Sequence, residues 1–512
     1  MNMNSANKLP AQQQVVVIGA GVAGLATAIR LACRGYQVRV LEKNAFPGGK
    51  LHHFEQDGFH FDAGPSLFTR PQLIEALFQL AGEPMDAYLT YERLPVSCNY
   101  FYESGPMVQA WANRELLALE LALKHGEDES SVIDYLEKAD RLFKRIGNIF
   151  LTHSLHSLET LQEAPIMDAI AATRWRHLFS SMHALNQSAF RNPKTVQLFD
   201  RYATYNGSNP YSAPGMLSMI AHLEHNEGSF YPKGGMISIT RALHKLAEKL
   251  GVQFHFNSSV SRIVVKEEKV VGVTTNNELL PADLVVSNVD VYFTYLRLLQ
   301  QPEAAEKILK QERSSSAMIF YWGIRSNFPQ LNLHNIFFSA DYKAEFTHLF
   351  EHKTLYKDPT VYINITSKCE PGIQAPEGME NWFVMINVPA NIGQNWERYR
   401  RESRERIIAK LSRILGVNVE ALIITESVAD PVSIESLTDS YMGSLYGTSS
   451  NSKMAAFLRH PNFSKAISGL YFVGGSVHPG GGIPLCLSSA AITEKIIWQK
   501  QLQQLQIVDS LH

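Results

Sequence analysis

The chain has 512 residues, of which 45% are hydrophobic and 19% are charged, and its formal net charge is −2. This composition is typical of a globular protein with a sizeable core, and the length favours two or three domains over one. The small net charge, without a long run of one sign, argues against nucleic acid as a partner. Four cysteines lie far apart with no CxxC pair, which argues against disulfides and a metal site and favours a cytoplasmic protein.

The N-terminal residues 1–13 are polar and lack the apolar segment of a secretory signal, so we expect a flexible tail. No stretch contains about 18 unbroken apolar residues. The sequence therefore does not predict a membrane-spanning helix.

The pattern after the tail predicts a βαβ unit. Gln14–Ile18 is a short β-branched run, residues 22–34 have helical periodicity, and residues 36–41 alternate as a second strand. Strand, helix and strand in this order form a right-handed unit of a parallel sheet.

Patterns of a nucleotide-binding domain recur in three separate segments, which are 14–95, 228–290 and 466–500. The segments between them, 96–227 and 291–465, are richer in aromatic residues and in amphipathic helical pattern. We therefore predict an α/β protein in which a Rossmann-like domain is assembled from three pieces. The intervening segments form an inserted α+β domain that holds the substrate and contacts the membrane.

A dinucleotide-binding turn is predicted at residues 19–24 (GAGVAG), directly after the first strand. Gly19 allows a tight turn, Gly21 lets the backbone approach a pyrophosphate, and Gly24 lets helix and strand pack closely. The helix N-terminus supplies free N–H groups to the phosphates. Glu42, at the end of the second strand, can accept hydrogen bonds from both ribose hydroxyls, and its charge disfavours a 2′-phosphate.

A second glycine pair distinguishes an FAD-binding sequence from an NAD-binding sequence. Gly48 and Gly49, followed by Lys50, lie just after the ribose carboxylate, and the sequence here resembles the superfamily of FAD-dependent amine oxidases and carotenoid desaturases. Residues 469–490 add a glycine-rich strand-to-helix turn near the other end of the chain. Two such turns at opposite ends are best explained by one shared ligand, which we predict to be FAD.

Further motifs sharpen the resemblance. Residues 58–66 (GFHFDAGPS), 231–236 (YPKGGM) and 478–484 (HPGGGIP) are similar to bacterial carotenoid desaturases of the phytoene desaturase type, across nearly the whole length. Residues 62–71 and 201–210 resemble the subgroup of 1-hydroxycarotenoid 3,4-desaturases. The resemblance implies an FAD-dependent enzyme that removes hydrogen from a long polyene. Phytoene or diapophytoene desaturation, an amine oxidase and a non-catalytic flavin- or lipid-binding protein remain alternatives.

The motifs and the resemblance together predict a set of cofactor-binding residues and no metal ligands. The set is Gly19, Gly21, Gly24, Glu42, Lys43, Gly48, Gly49, Lys50, Gly64, Pro65, Val260, Gly474, Gly475, Gly482, Ile483 and Pro484.

His478 is the candidate catalytic residue, because imidazole can accept a proton near neutral pH. The alternative, which we favour, is that it fixes the glycine-rich turn. Asp62 is expected to fix a turn through backbone N–H groups. Asp290 fits a structural role as well as a functional one.

A substrate of about forty carbons is excluded from water by something on the order of 30 kcal/mol. We therefore expect peripheral association with the inner face of the cell membrane. The basic, amphipathic residues 398–415 are a candidate contact, although such a helix can equally pack its apolar face on the core. The electron acceptor, oxygen or quinone, and the oligomeric state remain open.

Overall fold

The computed structural model describes residues 13–154, 156, 180–452 and 459–510. The strands of this part are β1 Gln14–Ile18, β2 Gln37–Leu41, β3 His52–Gln56, β4 Phe59–Ala63, β5 Tyr91–Arg93, β6 Val96–Phe101, β7 Val108–Trp111, β8 Phe230–Pro232, β9 Gln253–His255, β10 Val260–Lys266, β11 Lys269–Thr275, β12 Glu278–Pro281, β13 Leu284–Ser287, β14 Ser316–Ile324, β15 His334–Phe337, β16 Val361–Ile365, β17 Glu380–Val388, β18 Ile423–Ala429 and β19 Leu470–Phe472. The α-helices are α1 Val22–Cys33, α2 Gln72–Ala81, α3 Arg114–His125, α4 Glu129–Leu142, α5 Asn148–Thr152, α6 Met182–Ala189, α7 Pro193–Asp200, α8 Ile237–Lys249, α9 Val291–Phe293, α10 Pro302–Leu309, α11 Tyr342–Thr347, α12 Trp396–Leu415, α13 Pro431–Thr438 and α14 Ile483–Ser510.

A five-stranded parallel sheet, in the order β19-β13-β1-β2-β9, lies at the centre of the nucleotide-binding region. Successive side chains of β1 point to opposite faces. Val15 and Val17 pack against α1, α8 and α14, while Val16 and Ile18 pack against β10 and β11. Both faces are therefore buried, as the unbroken apolar run of β1 requires.

The strands of this parallel sheet come from the three segments in which the sequence shows nucleotide-domain patterns. The α/β class with a Rossmann-like parallel sheet is confirmed. The three-stranded antiparallel sheet β10-β11-β12 covers one face of it, and three helices cover the other.

A second, seven-stranded sheet has the order β18-β14-β17-β16-β15-β6-β7 and is antiparallel except where β15 pairs with β6. All nine residues of β14 are buried. Phe320 and Trp322 face the side covered by α12, while Ile319 and Tyr321 face the β3–β4 hairpin. This alternation directs one face of the sheet towards the large cavity described below.

Helix α12 is the segment that the sequence offered as a membrane contact. At the start of α12, the Asn395 side chain accepts the Arg398 N–H at 3.0 Å. The helix ends at Leu415, and the next residue, Gly416, has a φ of 71°. Its apolar residues Ile407 and Leu411 are fully buried against the seven-stranded sheet. Packing on the core, the other interpretation of this helix, is what the structure shows.

The basic side chains of α12 are held by neighbouring acidic groups. The ion pairs are Arg398–Glu402, Arg400–Asp430, Arg404–Glu420, Arg404–Glu426, Arg406–Glu402, Lys410–Asp358 and Arg413–Glu103. Within the described ranges, no helix is both long and apolar enough to cross a bilayer.

Candidate functional site

A cavity of about 1070 Å³ extends from the carboxyl ends of the parallel strands to the face of the seven-stranded sheet that carries Tyr321. Ligands of open α/β sheets bind at this edge of the strands. Gly19, Glu42, Asn288 and Gly474 follow β1, β2, β13 and β19 closely, and all four line the cavity.

Every predicted cofactor residue except Gly24 lines this cavity. Those that line it are Gly19, Gly21, Glu42, Lys43, Gly48, Gly49, Lys50, Gly64, Pro65, Val260, Gly474, Gly475, Gly482, Ile483 and Pro484. Gly24 lies behind the turn, where a Cβ would come within 2.1 Å of the Gly19 carbonyl oxygen. Gly24 therefore shapes the turn from behind.

Glu42 is buried and holds the turn through backbone groups. Its Oε2 accepts the Ala20 N–H at 2.8 Å, and its Oε1 accepts the Asn44 N–H at 2.9 Å. A carboxylate offers about four acceptor positions, so two remain for the hydroxyls of a ribose. Next to it, Lys43 pairs with Asp439 at 2.7 Å, which closes this end of the cavity.

The second glycine pair lies directly against the first turn. Gly48 bridges to Gly21, and its N–H donates to the Ala20 carbonyl at 2.9 Å. The Lys50 Nζ donates to the carbonyls of Ser444 and Leu445 at 3.1 and 2.8 Å. Burial lowers the pKa of Lys50 to about 8, so this ammonium loses its proton as the pH rises through about 8.

Asn288 joins the two glycine-rich turns and was not predicted from the sequence. A Cβ on Gly21 would lie 2.7 Å from its Nδ2, and a Cβ on Gly474 would lie 2.6 Å from its Oδ1. The signal that could have found it is its place just after β13, because strands that end at one edge of a parallel sheet bring their next residues together.

His478 does not line the cavity. It is fully buried, its Nε2 donates to the His153 carbonyl at 2.9 Å, and the Phe150 ring packs edge-on at 4.9 Å. Burial lowers the pKa of His478 to about 4. These contacts match the turn-fixing interpretation, and a role in proton transfer stays a prediction.

Two acidic residues raised in the sequence also have structural contacts. Asp62 accepts the N–H groups of Met236 and Ile237 at 2.7 and 3.1 Å, so it connects the β3–β4 hairpin to the start of α8. Burial raises the pKa of Asp62 to about 6. Asp290 accepts the Tyr292 N–H at 3.0 Å and forms a buried ion pair with Arg313.

The far end of the cavity is mainly apolar. Its apolar lining includes Phe143, Phe150, Leu151, Met216, Leu217, Met219, Ile220, Ile319, Tyr321, Ile336, Tyr362, Phe383 and Met385. A flexible hydrocarbon can be held there by burial of its own surface. We call this end the apolar chamber.

A few polar side chains interrupt the apolar chamber. The Arg201 Nη2 donates to Glu224 at 3.0 and 3.2 Å, and the Tyr362 hydroxyl lies 2.8 Å from both Ser66 Oγ and His334 Nδ1. All five side chains line the cavity. Ser66 and Arg201 lie in the motifs at 58–66 and 201–210, but the sequence does not show that they meet Tyr362, His334 and Glu224, because these residues come from distant parts of the chain.

The residues at the sheet end fit FAD. Among the residues that the structure describes, no side chain caps the N-terminus of α1, so the first N–H groups of this helix can bind a pyrophosphate. Gly21 leaves room for the phosphates, Glu42 retains acceptors for a ribose, and the C-terminal turn supplies Gly474 and Gly475 at the same cavity.

Comparison with known proteins supports the cofactor assignment. Residues 22–493 match the family described as flavin containing amine oxidoreductase. The chain is 50% identical over 485 residues to a 1-hydroxycarotenoid 3,4-desaturase of Flavobacterium sp. (strain P99-3), covering 95% of this chain and 99% of the relative. It is 32% identical over 492 residues to a 4,4'-diapolycopene oxygenase of Methylomonas sp, covering 95% and 98%.

Solved structures share the fold at low sequence identity. An oxidoreductase from Methanosarcina mazei superposes with a TM-score of 0.61 at 16% identity, covering 93% of this chain and 98% of its own. Putrescine oxidase bound to putrescine also gives 0.61, at 14% identity, with coverages of 95% and 99%. The predicted α/β, Rossmann-like FAD-binding fold class and the resemblance found in the sequence are thereby confirmed. The chain belongs to the flavin-containing amine oxidoreductase family and is an FAD-dependent oxidoreductase.

Proposed function

We propose that this protein is a carotenoid desaturase that introduces the 3,4 double bond into a 1-hydroxycarotenoid. The observation that carries the proposal is the 50% identity to a relative of that name over nearly the whole of both chains. The apolar chamber supports it, because it opens from the same cavity that the cofactor residues line.

FAD, when bound, supplies a hydride acceptor for the oxidation of a carbon–carbon single bond. The protein positions the substrate. Tyr321 and Phe383, whose ring centroids lie 5.6 Å apart in a T-shaped contact, form part of a wall that holds a polyene and excludes water. The proton leaves a carbon next to a charge delocalised over the polyene, so this step does not require a strong base.

We further infer that the protein works at the inner face of the cell membrane, because its substrate stays in the bilayer. Leu116, Leu119 and Leu123 are exposed by 45%, 43% and 73% and share one face of α3 by their spacing. We call this face the leucine stripe. Helix α3 packs on α4, and the turn after α4 carries Phe143, which lines the cavity.

Vesicle flotation tests the membrane inference. Leu119→Asp together with Leu123→Asp should reduce binding to vesicles at least several-fold, because inserting a carboxylate into the interface is unfavourable. Ile392→Asp, at a residue that is 59% exposed elsewhere, is the matched control. Unchanged binding by the double variant would show that the leucine stripe is not the membrane contact.

The enzymatic proposal is tested with purified, FAD-loaded protein and defined carotenoids in liposomes. A 1-hydroxycarotenoid should yield a product that has lost two hydrogens and absorbs at longer wavelength, with either oxygen or a quinone regenerating the oxidised cofactor. Desaturation of phytoene or diapophytoene in preference would identify a different desaturase. A product with added oxygen would match the activity named for the Methylomonas relative instead, and turnover of amines alone would refute a carotenoid enzyme.

A further inference from the structure

We propose that Ser97, Arg201, Glu224 and His334 form a hydroxyl-binding group in the wall of the apolar chamber. This group holds the hydroxyl of the substrate, selects hydroxylated over unhydroxylated carotenoids, and places the bond next to the hydroxyl-bearing end at the flavin. The inference rests on the proposed function and names the residues that determine its substrate class.

His334 presents an unused N–H donor. Its Nδ1 lies 3.2 Å from the Asn364 Nδ2, which also donates to the Leu333 carbonyl at 3.2 Å, so this nitrogen atom of Asn364 is a donor. The His334 Nδ1 must therefore accept, and the proton of the neutral ring is on Nε2. Burial lowers the pKa of His334 to about 4, which keeps the ring neutral. Its Nε2 has no hydrogen-bond partner among the described residues.

Arg201 presents a second unused donor. Its Nη2 binds both oxygens of Glu224, but its Nε has no partner in the part of the chain that the structure describes. Arg201 and Glu224 are exposed by 8% and 1%. Buried N–H groups are nearly always paired in native proteins, so one left unpaired beside a cavity is available to an acceptor in that cavity, on a ligand or on ordered water.

Ser97 adds a hydroxyl on the adjacent strand. It lies on β6, which pairs with β15, the strand that begins at His334. Ser97 is 1% exposed and lines the cavity, and its Oγ likewise lacks a partner within the described ranges. Three unpaired polar groups thus lie in the wall of a chamber that is otherwise mainly apolar.

The chemistry of this group fits a hydroxyl. Two N–H donors can point at the oxygen atom, while the Ser97 Oγ can accept the hydroxyl proton. The two oxygens of Glu224 already accept from Arg201, Tyr202 and Tyr205, so the role of Glu224 is to hold the Arg201 guanidinium in place. A hydrocarbon end would leave the His334 Nε2, the Arg201 Nε and the Ser97 Oγ buried and unpaired. Sites of this kind discriminate strongly against the analogue that lacks the hydroxyl. If the Arg201–Glu224 ion pair served only the fold, the nearby N–H donor of His334 would have no role.

The position of the group also fits the 3,4 bond. Ser66 follows the predicted cofactor residues Gly64 and Pro65 directly, and two hydrogen bonds of 2.8 Å connect it through Tyr362 to His334. The hydroxyl of the substrate is on carbon 1, only two bonds from carbon 3. A hydroxyl anchored near the cofactor residues therefore keeps the reacting bond near them as well.

The experiment compares kcat/KM for a 1-hydroxycarotenoid and for the same carbon skeleton without the hydroxyl, using FAD-loaded protein in liposomes. The wild type should prefer the hydroxylated substrate. His334→Phe should lower this preference by about 10-fold. This factor corresponds to the loss of one neutral hydrogen bond, which leaves the substrate hydroxyl without this donor. His334→Gln, which keeps a donor, should restore most of it.

His125 provides the matched control. It is a buried histidine whose burial lowers its pKa to about 4, and its Nδ1 lies 2.9 Å from the Thr195 Oγ1, but it does not line the cavity. His125→Phe should change turnover of both substrates alike. Ser97→Ala, a smaller change, should lower the preference by a few-fold and keeps the test valid if His334→Phe does not fold.

The outcomes distinguish a failure of the hydroxyl-binding group from a failure of the proposed desaturase function. If the wild type desaturates carotenoids but treats both substrates equally, or if the His334 and Ser97 variants keep the wild-type preference, the hydroxyl-binding group is refuted and the desaturase proposal stands. If the wild type desaturates no carotenoid, the proposed function fails, and this inference fails with it.

Discussion

The two ends of the cavity are built from different materials. At the sheet end, backbone groups and glycines dominate, and Glu42 holds the turn through the N–H groups of Ala20 and Asn44. In the apolar chamber, side chains such as Ser97 and His334 come from strands far apart in sequence. The cofactor end thus depends on the backbone path of local turns, whereas the substrate end depends on side chains that only the tertiary fold brings together.

The largest expected effect comes from the backbone of the first turn. A Cβ at position 24 would lie 2.1 Å from the Gly19 carbonyl oxygen, with no flexible atom to yield. Gly24→Ala should give colourless protein and lower the free energy of unfolding by about 1–3 kcal/mol. Flavin absorbance and denaturant unfolding measure both effects. In Gly35→Ala, no atom of the described residues lies within 4 Å of the new Cβ, and this variant should stay yellow even though its φ of 93° makes an alanine there destabilising.

Glu42→Gln tests the cofactor end with less damage to the fold. The amide oxygen can still accept the Ala20 N–H, but the charge and one set of acceptors are lost. We expect FAD to bind about 10–100-fold more weakly, which corresponds to about 1.5–3 kcal/mol. The free energy of unfolding should fall by less, because only the Asn44 N–H loses its acceptor. Fluorescence titration of the apoprotein measures it, with the exposed Glu55→Gln as control. Equal losses of binding and stability would mean that Glu42 serves the fold alone.

Asp62, which connects the β3–β4 hairpin to the start of α8, should make stability depend on pH. Burial raises the pKa of Asp62 to about 6, above its ordinary value of 3.8, so the native state keeps the proton to higher pH than the unfolded state does. The stability that protonated Asp62 contributes to the native state is fully present below about pH 4 and is lost as the pH rises through 6. Between pH 4 and 6 the wild type should lose about 2 kcal/mol relative to Asp62→Asn. Parallel stability curves would contradict this.

The smallest effect is expected on the outer surface of α12. Arg413 and Glu103 pair at 2.7 Å but are exposed by 55% and 39%. Arg413→Ala should cost less than about 1 kcal/mol, because water screens such pairs. Vesicle binding should not change, since the apolar face of α12 lies in the core. A clear loss of vesicle binding would show that α12 contacts the membrane after all.

The difference between the two ends also explains what the sequence could predict. The cofactor residues were found because their chemistry imposes local motifs, such as the spacing from Gly19 to Glu42. Asn288, His334 and Ser97 were not found, because each becomes informative only when strands distant in sequence pair. His478 attracted attention through its motif, and only its contact with the His153 carbonyl shows how the turn uses it.

The helix α12 illustrates a second limit of sequence patterns. An apolar stripe beside arginines is compatible with both a bilayer and a protein core, and only tertiary packing distinguishes them. Here the buried Ile407 and Leu411 decide in favour of the core. The leucine stripe on α3 has the weaker pattern but the greater exposure.

The most direct test of the account is an anaerobic single turnover in which flavin absorbance and carotenoid product are measured in the same sample. With a 1-hydroxycarotenoid, the flavin should lose its oxidised absorbance as one equivalent of product with a new 3,4 double bond forms. Flavin that stays oxidised in the presence of this substrate, or flavin reduction without a new double bond, would contradict the account.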